Sequence, residues 1–194
     1  DSPVDTANGG CGQVVAKSLD IDVTEDGIPT VAWMQGNGQC GTVDFKQPLQ
    51  ISKFAQSTWS APINISGVDS SSSSAEIIAL TGNKIIAAYN DGAKTFAKTC
   101  DMTTDVCSPA LELSADLKEV QSLAKDKNNN VMAAWIGGDD AYVNRYDVVN
   151  DEWSIMNKIN TDTAGNAEVA ALDGDFVVTW SEYSDLSPSS SAKF

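Results

Sequence analysis

The sequence has no histidine and a single arginine, Arg145. Without an imidazole, Ser-His-Asp and Cys-His nucleophilic mechanisms are excluded, and so is a histidine-ligated metal centre. Cations are scarce: 12 Lys and Arg face 27 Asp and Glu, for a formal net charge of −15. Binding to nucleic acid requires side-chain cations that displace counterions from phosphates. This chain repels phosphates, so nucleic acid and anionic membranes are poor partners, and no nucleic-acid partner is expected. No apolar run is long enough for a membrane-spanning helix, so no membrane insertion is expected. Phosphate-cradling loops of the GxGxxG or GxxxxGK[ST] form and CxxC pairs are also missing. The acidity itself has two readings: solubility outside the cell, or binding of a divalent cation.

What is present suits strands and turns. Apolar residues make up 42% of 194, enough to bury a core. Ser, Thr, Asn, Gly and Asp are abundant, which favours tight connections. Four cysteines, Cys11, Cys40, Cys100 and Cys107, form an even set suited to disulfides in an oxidising compartment. A chain that opens at Asp1 without a charged-apolar leader reads as a mature form whose signal peptide is gone. A secreted, periplasmic or extracellular location is therefore expected.

Two stretches align without a gap: AAYNDGAKTFAKTCDMTTDVCS, from Ala87, and AAWIGGDDAYVNRYDVVNDEWS, from Ala133. The unit recurs around TVAW, ending at Trp33, and VVTW, ending at Trp180. The anchors Trp33, Tyr89, Trp135 and Trp180 lie 56, 46 and 45 residues apart. An insertion, GNGQCGTVDFKQPLQ, lengthens the first interval. Before each anchor comes an apolar run, a turn and a second apolar run, as in EIIALTGNKIIAAY and EVAALDGDFVVTW. Asp-Gly and Gly-Asn between apolar runs signal hairpins, because such turns need φ > 0. A further turn follows in AQST, DMTTDV and DVVNDE. Each unit is thus four short antiparallel strands. A repeat of this length holding four strands predicts a β-propeller blade, and small residues beside the anchors (Ala32, Ala87, Ala88, Ala133, Ala134) suit face-to-face packing. A β-sandwich is the competing architecture.

The whole chain, 1–194, is therefore expected to be one all-β propeller. Blade 1 spans about 19–66, blade 2 about 75–114, blade 3 about 118–160 and blade 4 about 167–194. CGQVVAKSLD aligns with CSPALELSAD, the region of a fourth strand, so residues 11–18 are expected to complete blade 4 and latch a four-bladed ring. Alternatively, the blades belong to a larger ring, and an oligomer becomes possible if one chain does not close it. Cys100 and Cys107 flank one turn in paired strands, where opposite residues reach disulfide range. Their bond would occupy the place of the Tyr146–Trp153 pair in blade 3. Cys11 and Cys40 remain as the second pair, which requires the insertion or the N-terminal arm to bridge them.

The steps Trp59-Ser60 and Trp153-Ser154, each after a turn between the last two strands, carry a resemblance. The unit resembles the repeats of secreted bacterial propellers related to sialidases, whose Asp-boxes, S-x-D-x-G-x-x-W, sit at that turn. The resemblance covers most of the chain. Its motif is degenerate here: FAQSTW lacks the aspartate and the glycine, and DVVNDEW spaces its aspartate one residue further away. The resemblance would imply a three-arginine clamp for a substrate carboxylate, but this chain has one arginine and no FRIP motif.

Carboxylates are the remaining chemistry. Glu76, Glu119 and Glu168 each open the first strand of a blade, with Asp20 and Asp22 near the corresponding place in blade 1. First strands line a propeller's channel. An axial site for calcium or another cation is one reading, since hard cations take oxygen ligands; hydrogen bonds to neighbouring blades or exposure to water is the other. DKNNN, 126–130, has a faint D-x-N-x-N calcium-loop form but falls where a hairpin turn is needed. Glycoside hydrolysis needs only two suitably spaced carboxylates, and is the enzymatic alternative. The favoured expectation is a non-catalytic binding or scaffold propeller that recognises a glycan or protein through rim loops. The longest are 36–50 and 181–191, with Gln39, Phe45 and Tyr183 as contact residues.

Overall fold

The computed structural model describes residues 16–35, 48–67, 74–114, 119–183 and 191–193. Among them there is no helix. Blade 1 is built from β1 (Ala16–Val23), β2 (Pro29–Gln35), β3 (Leu49–Ala55), β4 (Thr58–Trp59) and β5 (Ile63–Asn64). Blade 2 holds β6 (Ala75–Ala79), β7 (Lys84–Asn90), β8 (Thr95–Asp101), β9 (Val106–Cys107) and β10 (Leu111–Ser114). Blade 3 holds β11 (Glu119–Lys125), β12 (Val131–Gly137), β13 (Asp140–Asp147), β14 (Glu152–Trp153) and β15 (Asn157–Lys158). Blade 4 holds β16 (Thr163–Leu172), β17 (Asp175–Tyr183) and β18 (Ser191–Lys193). Every pairing is antiparallel, and in each sheet the first three strands are neighbours in chain order.

Turn chemistry sets the hairpins. Left-handed residues occur at Gly27, Gly82 and Asn83, Asn129, and Asp173 with Gly174, one turn between the first two strands of each blade. These are residue types that tolerate positive φ. The turns before the outer strand repeat the device at Gln56 and Ser57, Asp105 and Asp151. In blades 2 and 3 an aspartate closes that turn: Asp101 Oδ1 accepts from Thr103 N and Thr104 N, and Asp147 Oδ1 accepts from Val149 N and Asn150 N. Those bonds hold both carboxyls below the usual carboxylate range.

The fourth strand of each complete blade is split in two, and both pieces pair with the third strand. The break falls at the serine after the outer anchor. Ser60, Ser108 and Ser154 donate their N–H to the carbonyls of Lys53, Thr99 and Arg145. Their hydroxyls accept from the N–H groups of the same three residues at 3.2, 3.1 and 3.1 Å. Each hydroxyl also donates to the next carbonyl, that of Ala61, Pro109 or Ile155. A bulge leaves a partner N–H without its ladder acceptor, and the serine supplies it.

The core lies in the seams between blades. Ala32, Met34 and Ile51 pack on Ile77, Ala87 and Tyr89. Leu80 and Ile86 meet Val131 and Tyr146, while Ala97 and Leu113 meet Ala133 and Trp135. Ala134, Ala141 and Val143 pack on Ala167 and Val169, with Trp180 against them. Trp33, Tyr89 and Trp135 are buried. First strands stand beside first strands: β1 by β6, β6 by β11, and β11 by β16. Sheets stacked face to face through their first three strands, with inner strands adjacent, are propeller blades.

One expectation needs adjustment. Ala16 and Lys17 pair with Gln35 and Met34, so residues 16–18 belong to the inner strand of blade 1 and do not supply an outer strand to blade 4. Cys100 and Cys107 are directly opposite and disulfide-bonded, as expected. Cys11 and Cys40, and the rest of the expected latch at 11–15, lie outside the described residues.

Candidate functional site

Two places carry polar side chains that the propeller holds in register: the inner strands and one rim. On the inner strands the pairing fixes which residues share a level. Asp20, Glu76, Ser122 and Glu168 stand opposite Ala32, Ala88, Ala134 and Thr179. Glu119 pairs with Ile136, at the far end of its hairpin and beyond a bulge between Val120 and Ser122. The backbone therefore does not place Glu76, Glu119 and Glu168 at one level. Among the described residues no group of three or more carboxylate or cysteine side chains is placed to hold a metal ion.

Asp20 and Ser122 at this level, and Asp22 and Gln121 beside them, bond to the next blade. Asp20 Oδ2 accepts from Ile77 N and Asp22 Oδ2 from Ala79 N, both at 2.7 Å. Gln121 Oε1 accepts from Ala167 N at 2.9 Å, and Ser122 Oγ from Val169 N at 3.2 Å. An inner strand is an edge strand with unpaired N–H groups, and the preceding blade satisfies them. Glu76 is the exception in kind. Its burial, together with the charge and hydrogen bond of neighbouring Asp20, pushes its carboxyl from 4.5 to about 7. Glu168 is exposed.

The tips of the first hairpins are also joined. Gly82 N donates to Glu25 Oε2, Asp26 N to Asn83 Oδ1, and Thr81 N to Asn129 Oδ1. Lys127 pairs with Asp173 at 2.7 Å. Within DKNNN, the buried Asp126 carboxylate accepts from Asn128 N, Asn130 N and Asn130 Nδ2. These bonds make it the closing group of its own turn.

At the opposite ends of the strands, Gln39 and Phe45 lie outside the described residues. Tyr183 ends β17 with its side chain half exposed. Its ring lies across Gly165, where an added Cβ would come within 2.4 Å of Tyr183 Cε2; only glycine leaves that room. Next to it, Glu182 is buried, and its Oε1 accepts from Thr161 N at 2.9 Å and Trp180 Nε1 at 3.0 Å. Ser181 Oγ accepts from Asn166 N at 3.0 Å. Nearby, Asn160 Oδ1 accepts from Ala141 N, and Asp140 pairs with Lys158 at 2.6 Å. The Lys158 hydrogen bond is the main cause holding the Asp140 carboxyl below its usual range. Sequence reading found Tyr183 but missed Glu182 and Gly165, since neither belongs to a repeated motif.

No family model matches the chain, and no curated protein does. Solved structures do. The exo-β-1,3-galactanase of Phanerochaete chrysosporium superposes with a TM-score of 0.57 at 7% identity, covering 88% of this chain and 43% of its own. The Dos1 propeller gives 0.57 at 14%, covering 86% and 42%. The Hadza microbial sialidase Hz136 gives 0.55 at 16%, covering 88% and 40%. The chain thus spans less than half the length of each. The fold is that of the β-propellers, sialidase-like ones among them.

Proposed function

We propose that this chain is a non-catalytic extracellular binding propeller that takes a glycan or a protein segment on the rim bearing Tyr183. The observation that carries the reading is the mounting of that tyrosine. A half-exposed aromatic ring is seated on a glycine backbone, on a strand end pinned by a buried carboxylate and an indole N–H. A rigid aromatic surface offers large contact area at small entropic cost. The disulfide and the acidic surface suit an extracellular setting. Two of the similar folds, the galactanase and the sialidase, carry names that denote action on glycans. The test is a glycan and peptide array probed with the purified chain and with Tyr183→Ala. Binding that falls at least tenfold in the variant, with the thermal melt unchanged, supports the rim; equal binding by both overturns it.

A second reading rests on Glu76. A carboxyl near 7 beside a second carboxyl is the pairing that acid-base hydrolysis uses. Release of reducing ends from the same glycans, abolished by Glu76→Gln, would move the function from the rim to the inner strands.

A further inference from the structure

One register position compares the four blades directly. Ile21, Ile77, Leu123 and Val169 occupy the same place, opposite Val31, Ala87, Ala133 and Val178. All four are apolar. Ile77 and Val169 are buried, and Leu123 packs into the seam with blade 2. Ile21 is 60% exposed, and Leu19 and Val23 beside it are exposed as well. Ala75 and Ala79, flanking Ile77 in blade 2, are buried against blade 1. Among the described residues, the incoming face of blade 1 therefore exposes what the other blades bury against their predecessor.

The last blade shows the converse. Leu172 ends β16 at its turn in the place where Leu80 follows β6, and Val177 stands in β17 where Ile86 stands in β7. Leu80 and Ile86 are buried against blade 3; Leu172 is 62% exposed and Val177 is exposed too. Among the described residues, no hydrophobic cluster joins blade 4 to blade 1. The two ends are the two halves of the seam that the molecule already makes three times.

We infer that the occupant of both faces is a second copy of this chain, joined head to tail. The incoming strip of one copy (Leu19, Ile21, Val23) would pack on the outgoing strip of the other (Leu172, Val177), and the same contact would form again across the two-fold axis. A head-to-tail contact closes only when its rotation does. Two copies place eight blades about one axis, at the upper end of the range for propellers; three copies would exceed it. The acidic side chains do not oppose the contact at blade 1, because Asp20 and Asp22 point to the other face and bond to blade 2.

The experiment is mass measurement by light scattering over a concentration series, using wild type, Ile21→Lys and Leu172→Lys. Both sites are exposed within one copy, so each variant keeps the fold, read as an unchanged circular-dichroism spectrum. Wild type is expected at twice the mass of one chain, and each variant alone at the mass of one. Mixing the two variants is the decisive arm. The intact outgoing face of Ile21→Lys meets the intact incoming face of Leu172→Lys, so the mixture regains a dimer held by a single seam. A monomeric wild type overturns the inference, which would leave these faces to other blades. Variants that stay dimeric alone, or a mixture that stays monomeric, overturn it as well. Each mass is read without any rim ligand, so failure here is separate from failure of the binding reading.

Discussion

Glu76 is the side chain whose chemistry departs furthest from what its position alone would suggest. Its carboxyl holds its proton up to about pH 7, whereas an unfolded chain releases it near 4.5. Between those values the unfolded state ionises and the folded state does not, so stability falls as pH rises through that window and levels off above it. At full weight the difference is about 3 kcal/mol; solvent at the open side of this half-buried group screens it to about 1–2 kcal/mol. Glu76→Gln is therefore expected to match wild type at pH 4 and to melt higher at pH 8. Chemical denaturation at the two pH values checks this, and a variant with equal or lower stability at pH 8 would contradict it. Glu76, with Asp20 near it, was legible in the sequence, but the burial that shifts its carboxyl was not. Taking each glutamate as the opening residue of its first strand put Glu76, Glu119 and Glu168 in one register, but the turns between first and second strands differ in length and β11 carries a bulge. The pairing keeps Asp20 and Glu168 at the level of Glu76, adds Ser122 and moves Glu119 away.

At the scale of elements, the four-strand unit could be read because its turns demand particular residues. Glycine, asparagine and aspartate stand at left-handed positions between apolar runs, and the structure uses them there. The split of the outer strand could not be read, although its cause was in view. The steps Trp59-Ser60 and Trp153-Ser154 carry the resemblance in the sequence, and the serine, like Ser108 after Cys107, proves to be the group that fills the bulge. The outer hairpin then needs a clasp across it. Phe54 with Trp59 and Tyr146 with Trp153 provide one by ring contact, at 5.3 and 5.5 Å between centroids. Blade 2 provides it with the Cys100–Cys107 bond. The loop closed by that bond is short, with a sequence separation of 7, for which the chain-entropy estimate gives about 2.5 kcal/mol. Reduction of this bond is expected to lower the melting temperature by several degrees and to speed amide exchange at Ser108 and Thr99 first. Exchange that rises uniformly across all blades would instead mean that the bond stabilises the molecule as a whole and not its own hairpin.

For the whole molecule, the blades hold together by two unlike devices, and their balance changes along the chain. The seam between blades 2 and 3 rests on large buried side chains such as Trp135, Tyr146 and Ile86, while the seam between blades 3 and 4 buries smaller ones, Ala134, Ala141, Val143, Ala167 and Val169. The seam between blades 1 and 2 adds two carboxylates, Asp20 and Asp22, that accept the edge N–H groups of Ile77 and Ala79. Hydrogen bonds to charged acceptors are each worth about 1.5–3 kcal/mol, and a buried donor left without one carries the desolvation cost. Removing both carboxylates should therefore loosen this seam selectively. In Asp20→Ala with Asp22→Ala, the amides of Ile77 and Ala79 are expected to exchange at least tenfold faster. Those of Val169 and Ala167, held by Ser122 and Gln121 in the seam between blades 3 and 4, should keep their wild-type rates. Native-state hydrogen exchange resolves the four positions separately. Equal acceleration at all four would mean that the blades open as one unit. Protection lost only at Ile77 and Ala79 would show that each seam carries its own stability, as expected of a repeat array in which blades contact mainly their neighbours.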